Sequence, residues 1–259
     1  MYASNYFETA MLNVMRGTSI TAPAKVYLAL YANNPGDTGA EGTEVSYTGY
    51  ARQEITFSTP AEYASGLAIQ NVDEITFAEC PTNYGNVTYI GVLDSATGGN
   101  MLLYGQLDVA LNLQNGVTPI FRAGSVKWIW SGNLGTYYRT ALMNTLKGVD
   151  CAGFSPYIGL CNGDPEGSGS EFTGQNYQRI ALTMSTPEEQ ANGTTMCQNV
   201  NELLSNESTG YWGILTHIAI YDASSDGHIY AVIPTGSSSS VQQNTAIGFH
   251  AGSVRFSVN

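Results

Sequence analysis

The sequence predicts a mainly β protein: two tandem antiparallel β-sandwich domains of jelly-roll-like type, each preceded by a short amphipathic helix. Three observations carry this. An internal repeat runs the length of the chain, the apolar period changes from helical to strand-like after Pro23, and Gly- and Asn-rich clusters separate the apolar runs.

The 259 residues suit two units near the commonest domain size. Tyr6-Phe7-Glu8-Thr9-Ala10-Met11-Leu12-Asn13-Val14-Met15-Arg16-Gly17 aligns without a gap on Tyr137-Tyr138-Arg139-Thr140-Ala141-Leu142-Met143-Asn144-Thr145-Leu146-Lys147-Gly148, at a constant offset of 131 (148 − 17). Tyr27–Gly36 then matches Tyr157–Glu166, Tyr50–Arg52 matches Tyr177–Arg179, Val87–Asp94 matches Leu215–Asp222, and Ala123–Trp128 matches Ala251–Phe256. The order is collinear, so a whole unit is duplicated: residues 1–130 and 136–259, joined by the link 131–135.

The first element of each unit is a helix. Tyr6, Phe7, Ala10, Met11, Val14 and Met15 recur at one-face helical spacing, and Gly17 supplies the stop. Val26 to Tyr31, Tyr50 to Phe57, Val87 to Leu93, Met101 to Leu107 and Ser125 to Trp130 read as strands. Asp94–Asn100 is a hairpin loop with glycines for positive φ, and Asp222–His228 is its counterpart.

Charged residues make up only 12% of the chain, against roughly 25% in typical soluble domains, so Ser, Thr, Asn, Gln and Tyr cover the surface. The formal charge of −12 repels phosphate backbones and anionic membrane surfaces, which excludes nucleic acid and such membranes as expected partners. No apolar run reaches a membrane-spanning length. The start, Met1-Tyr2-Ala3-Ser4-Asn5, has no basic region followed by an apolar core, so no signal peptide is expected. Cys80, Cys151, Cys161 and Cys197 lack the paired spacing of zinc or redox motifs. Buried thiols are expected, with a Cys151–Cys161 bridge as the alternative.

Hydrolysis would need a nucleophile, a base and an orienting group. The histidines are His217, His228 and His250, all in the second unit, where the first has Tyr89, a hairpin position and Arg122. No catalytic, cofactor-binding or metal residues are therefore assigned. The acidic Gly-rich loops Asp37–Glu44 and Asp164–Glu171 lack the ligand register of an EF-hand and read as solvated turns. The recurrence of Glu44 with Arg52 and of Glu171 with Arg179 suggests an ion pair closing each loop onto the following strand. Seventeen tyrosines and three tryptophans suit protein contact or sugar stacking; Tyr137, Tyr138, Tyr211 and Trp212 are the contact candidates, set against core packing and helix docking. Asn86, Asn192 and Asn206 begin sequons that arise by chance.

The stretch Arg16–Tyr31, with Asn34-Pro35, Gly42-Thr43-Glu44-Val45, Tyr50-Ala51-Arg52-Gln53, Glu74-Ile75-Thr76-Phe77, Asp94–Gly105 and Ala123-Gly124-Ser125-Val126, resembles a family of tailed-bacteriophage virion structural proteins, usually called tail fibre, minor tail or head decoration proteins. The second unit departs further, with Asp164 at the Asn34 position and Ala223-Ser224-Ser225-Asp226-Gly227-His228 at the glycine hairpin. The resemblance implies a non-enzymatic virion component, on head or tail. Repetition of the unit suits multivalent contact with other virion proteins and a homo-oligomer, a trimer favoured. The alternatives are a carbohydrate-binding tail module recognising host glycans and a tail-associated hydrolase.

Overall fold

The computed structural model describes residues 1–258 except Ser65, Asn133 and Asn192. The Asn192 sequon, the Asn133 position of the link and the final Asn259 lie outside the described residues. The protein is mainly β and antiparallel throughout, with one short helix per half.

In the first half, helix α1 spans Asn5–Val14. Ser4 caps it by accepting the Phe7 N–H at 3.3 Å, and the same hydroxyl donates to the Met101 carbonyl. Helix α2, Thr136–Thr145, starts at Gly135, which offers no side-chain cap. The Glu166 carboxylate takes that role, accepting the Thr136 N–H at 2.8 Å. Gly135 is required for a different reason: a Cβ there would sit 2.4 Å from the Ile229 carbonyl oxygen.

The larger sheet of the first half has five strands in the order Tyr2–Ala3, Met101–Leu113, Gly85–Leu93, Val26–Tyr31 and Gln53–Ile55. The smaller sheet runs Lys127–Trp130, Gly66–Gln70, Ala61–Tyr63. The second half repeats this with Ile229–Val241, Gly213–Tyr221 and Tyr157–Asn162 as its central strands, and Arg255–Val258, Thr195–Gln198 and Glu188–Glu189 as the smaller sheet. Register is equivalent: Leu28 faces Val92 and Leu30 faces Ile90, as Ile158 faces Ile220 and Leu160 faces Ile218. The predicted strand Met101 to Leu107 extends to Leu113, while the predicted run Tyr50 to Phe57 is strand only over Gln53–Ile55, with Phe57 held by an isolated bridge to Asn71.

The two halves share one continuous buried core. Helix α1 packs on its own strand Met101–Leu113 and also on Thr195–Gln198 and Arg255–Val258 of the other half; α2 packs on Ile229–Val241 and on Gly66–Gln70 of the first half. Each helix is thus covered by the smaller sheet of the opposite copy. Between them, Ile20 and Cys151 form an antiparallel bridge, donating to each other's carbonyls at 2.8 and 3.0 Å. These two residues are counterparts in the repeat. A position that pairs with its own counterpart marks a local two-fold axis. The flanking bonds obey the same symmetry: the Ala22 N–H donates to Asp150 Oδ1 at 2.8 Å, and the Gly153 N–H to Ser19 Oγ at 3.0 Å. Gly153 admits no side chain, because a Cβ would lie 2.2 Å from the Gly17 carbonyl carbon.

A shared core makes the halves unfold together. Calorimetry of the full chain is expected to show a single transition with matching calorimetric and van't Hoff enthalpies; two resolved transitions would show that each half stands alone.

Candidate functional site

One polar arrangement is built twice, once in each half. The Arg52 Nε donates to Glu44 Oε1 at 2.8 Å and Nη2 to Glu44 Oε2 at 2.7 Å, a bidentate pair. Nη1 then donates to the Ser95 and Gly98 carbonyls at 2.9 and 2.6 Å, inside the Asp94–Asn100 loop. In the second half Arg179 grips Glu171 at 2.8 and 2.8 Å and the Ala223 and Asp226 carbonyls at 2.7 and 2.6 Å. The four residues Glu44, Arg52, Glu171 and Arg179 are brought together as two clamps, each tying an acidic loop, a strand start and a hairpin.

A tyrosine completes each clamp. Tyr50 Oη accepts the Leu30 N–H at 3.0 Å and donates to Glu44 Oε1 at 3.2 Å; Tyr177 Oη accepts from Leu160 at 2.8 Å and donates to Glu171 Oε1 at 2.7 Å. Burial pushes both phenols well above their usual range, so they stay protonated and keep donating. Arg179 also stacks over the Tyr221 ring, 3.4 Å from its centroid. With four of the five guanidinium N–H groups engaged, the clamp holds structure and offers no free fork to a ligand.

The hairpin loops are themselves equivalent despite their different sequences. Asp94 accepts from the Asn100 N–H at 2.7 Å and from its side-chain amide at 2.9 Å. Asp222 accepts from the His228 N–H at 2.7 Å, and its other oxygen lies 3.0 Å from His228 Nδ1. A further repeated device escaped the sequence reading. Asn71 bonds Val126 N, Asp73 O and Arg122 O at 2.8, 2.7 and 2.9 Å; Asn199 bonds Val254 N, Asn201 O and His250 O at 2.9, 2.8 and 2.9 Å. Both are buried. The signal was the identical triplet Gln-Asn-Val at 70–72 and 198–200.

Among the aromatic contact candidates, Tyr138 and Trp212 belong to the core, at 1% and 8% exposure. The Tyr138 hydroxyl donates to the Met11 carbonyl across the seam, and the Trp212 indole N–H to the Gln175 carbonyl at 2.8 Å. Their amphipathic rings are spent on packing with a satisfied polar tip. Tyr211 is exposed, and Tyr137 lies flat on His228 with ring centroids 3.7 Å apart. In the first half the equivalents of His228 and Tyr230 are Asn100 and Leu102, so Tyr6, the counterpart of Tyr137, has no such stack. Tyr6 lines two cavities of about 330 and 630 Å³, whose linings include Asp94 and Leu102 in the first and Thr9, Asn13, Thr18 and Ser19 in the second.

All four cysteines are buried free thiols, so the Cys151–Cys161 bridge does not form; they lie in separate positions, Cys151 on the two-fold seam and Cys161 in the larger sheet. Burial pushes the Cys151 thiol up to about 11 and the Cys161 and Cys197 thiols up to about 12, which withholds the nucleophilic thiolate. His217 Nδ1 lies 2.9 Å from the Thr216 hydroxyl, which already accepts the Gly163 N–H. His250 and its neighbour Glu202 are exposed on the surface. No helix is long and apolar enough to cross a membrane. Among the described residues no group of three or more His, Cys, Asp or Glu is arranged around a metal position.

At the seam, the helices place an acidic and a basic side chain at equivalent positions. Glu8 on α1 is fully buried and accepts from the Thr195 hydroxyl of the other half at 2.6 Å. Burial pushes its carboxyl up to about 7, with Asp37 and Glu189 acting in the same direction. Its counterpart Arg139 on α2 donates from Nη1 to the Trp130 carbonyl at 3.2 Å.

The clamps set a test. Both arginine side chains are nearly buried, at 10% and 7% exposure, so removing one leaves a carboxylate without its counter-charge and takes a donor from two loop carbonyls. Arg52→Ala and Arg179→Ala are expected to lower unfolding stability by about 3 kcal/mol each, and the lysine variants by about 1–2 kcal/mol through loss of the fork, measured by urea denaturation. Changes below about 0.5 kcal/mol would place these pairs with ordinary surface ion pairs.

A comparison with curated proteins gives no match. The family model described as podophage GP4 fiber I protein gp80 matches residues 2–129 and, a second time, residues 133–257. These are the two halves related by the local two-fold axis. The chain belongs to the podophage GP4 fiber I protein gp80 family and carries the family's unit twice in tandem.

Proposed function

We propose that the protein is a non-enzymatic structural component of a phage fibre, acting through multivalent contacts with other virion proteins. The observation that carries this reading is the double match to a fibre family across both halves. The chemistry supports it: the buried thiols are held protonated, the arginine forks are engaged, and the polar side chains that recur between copies bind the protein's own loops.

The sheets also provide a route to assembly. The strand Met101–Leu113 is flanked on its outer side by Tyr2–Ala3 only at Leu103 and Tyr104, so its continuation runs past that partner. In the second half Ile229–Val241 is the terminal strand of its sheet and ends in the exposed run Ser237–Ser240. Open strand edges with small polar side chains pair readily with another strand while staying soluble alone. A homo-oligomer, with a trimer favoured, is the corresponding assembly, and a capsid position is the competing location.

Glycan binding is a second reading, favoured by Tyr6. This ring is 52% exposed beside a cavity of about 630 Å³ whose lining includes Thr9, Asn13, Thr18 and Ser19, an aromatic platform with neutral hydrogen-bonding groups. Titration with host surface polysaccharide separates the readings; saturable binding lost in Tyr6→Ala would support it.

Antibody labelling of intact virions in the electron microscope is expected to place the chain on the tail fibres, and mass measurement of the purified protein to give a multimer. Label spread over the head would overturn the fibre assignment, and a monomer both in isolation and on the particle would overturn the multivalent one.

A further inference from the structure

Among the described residues, four buried side-chain polar atoms have no hydrogen-bond partner: Asn5 Oδ1, Glu8 Oε1, Asp37 Oδ1 and Arg139 Nε. Three are oxygens, and they belong to neighbouring residues. Asn5 and Glu8 are three apart in the first turn of α1 and so share a face. The Asn5 N–H donates to the Asp37 carbonyl at 3.1 Å. Glu8 accepts from Thr195, and Asp37 Oδ2 lies 3.7 Å from where a Cβ on Gly193 would stand, so both carboxylates face the same segment of the opposite half.

We propose that Asn5, Glu8 and Asp37 form a binding site for a calcium-like divalent cation at the seam between the two halves. The donor set consists of oxygen alone, one amide and two carboxylates, the chemistry of hard cations. A proton would satisfy one orphaned oxygen, whereas a cation seated among the three residues would satisfy more than one at once. The Tyr104 hydroxyl lies close to the Asp37 carboxylate, while Glu41 and Glu189 add negative potential. That potential opposes the positive end of α1, which alone would repel a cation. Ligands from two separate segments, completed by water, suit the tolerant coordination of calcium better than the strict octahedron of magnesium.

The second copy supplies an internal control. There the counterparts of Asn5, Glu8 and Asp37 are Thr136, Arg139 and Gly167. Where the first half gathers acids at the seam, the second places a guanidinium, a cation carried by the chain itself.

The test uses the full chain stripped with chelator. Terbium, a luminescent calcium surrogate, is expected to bind saturably with emission sensitised by the adjacent Tyr104, to be displaced by calcium, and calcium alone is expected to raise the melting temperature. Glu8→Gln keeps an acceptor for Thr195 and removes a buried charge, so it is expected to fold and yet lose terbium and calcium binding at least about tenfold; Asn5→Ala is the milder companion. The absence of saturable binding up to about 1 mM calcium, the weak end for calcium modules, would overturn the site. So would binding unchanged in both variants, or a melting temperature that responds to pH and not to calcium.

Discussion

The rest of the structure depends on where the two helices are buried. Each helix presents an apolar face, yet the sheet it precedes covers only part of it; Met11, Leu12, Leu142 and Met143 reach full burial because the smaller sheet of the opposite copy closes over them. Apolar surface of that kind must leave water, at about 25 cal/mol per Å², and the duplicated chain supplies the cover internally. The self-pairing of Ile20 with Cys151 and the reciprocal bonds at Ala22 and Gly153 follow from this, since an interface between like units closes most simply about a two-fold axis.

Around that core, the recurring polar residues solve a recurring problem. Long loops leave backbone carbonyls with no strand to satisfy them, and Arg52, Arg179, Asn71 and Asn199 each reach two or more such groups at once. Apolar positions were free to change so long as volume was kept. On the outer face of the larger sheet, the cluster containing Tyr31 and Leu93 in one half contains Cys161 and Tyr221 in the other, so the ring has moved one strand over.

The parts legible in the sequence were those written in local period or in repetition. The helix at Asn5–Val14 follows from spacing, the strand at Val26–Tyr31 from its apolar run, and the partnership of Glu44 with Arg52 from the recurrence of the pair. Of the smaller sheet, the strand at Lys127–Trp130 was legible from its apolar run and the other two were not: Ala61–Tyr63 is exposed throughout, and Gly66–Gln70 lacks the alternation of a half-buried strand. The seam was invisible for a different reason. Repetition shows which residues are equivalent and says nothing of how two equivalents meet, so Ile20 beside Cys151 had no local signature. Nor could spacing separate Tyr137 from Tyr138, adjacent rings of which one is half-exposed and the other fully enclosed.

Fusion of the two units has a physical consequence that a dimer of single units lacks. In a symmetric dimer every seam position is occupied twice by the same residue, so an acid at the Glu8 position would face the structure in both copies and double its desolvation cost. Within one chain the positions are independent: Glu8 can stand in one copy and Arg139 in the other. The same freedom lets the pocket beside Tyr6 stay open while His228 and Tyr230 pack against Tyr137. A site present once in a two-fold framework thus requires a covalently joined pair, and the local symmetry that buries the helices is also the background against which such a site stands out.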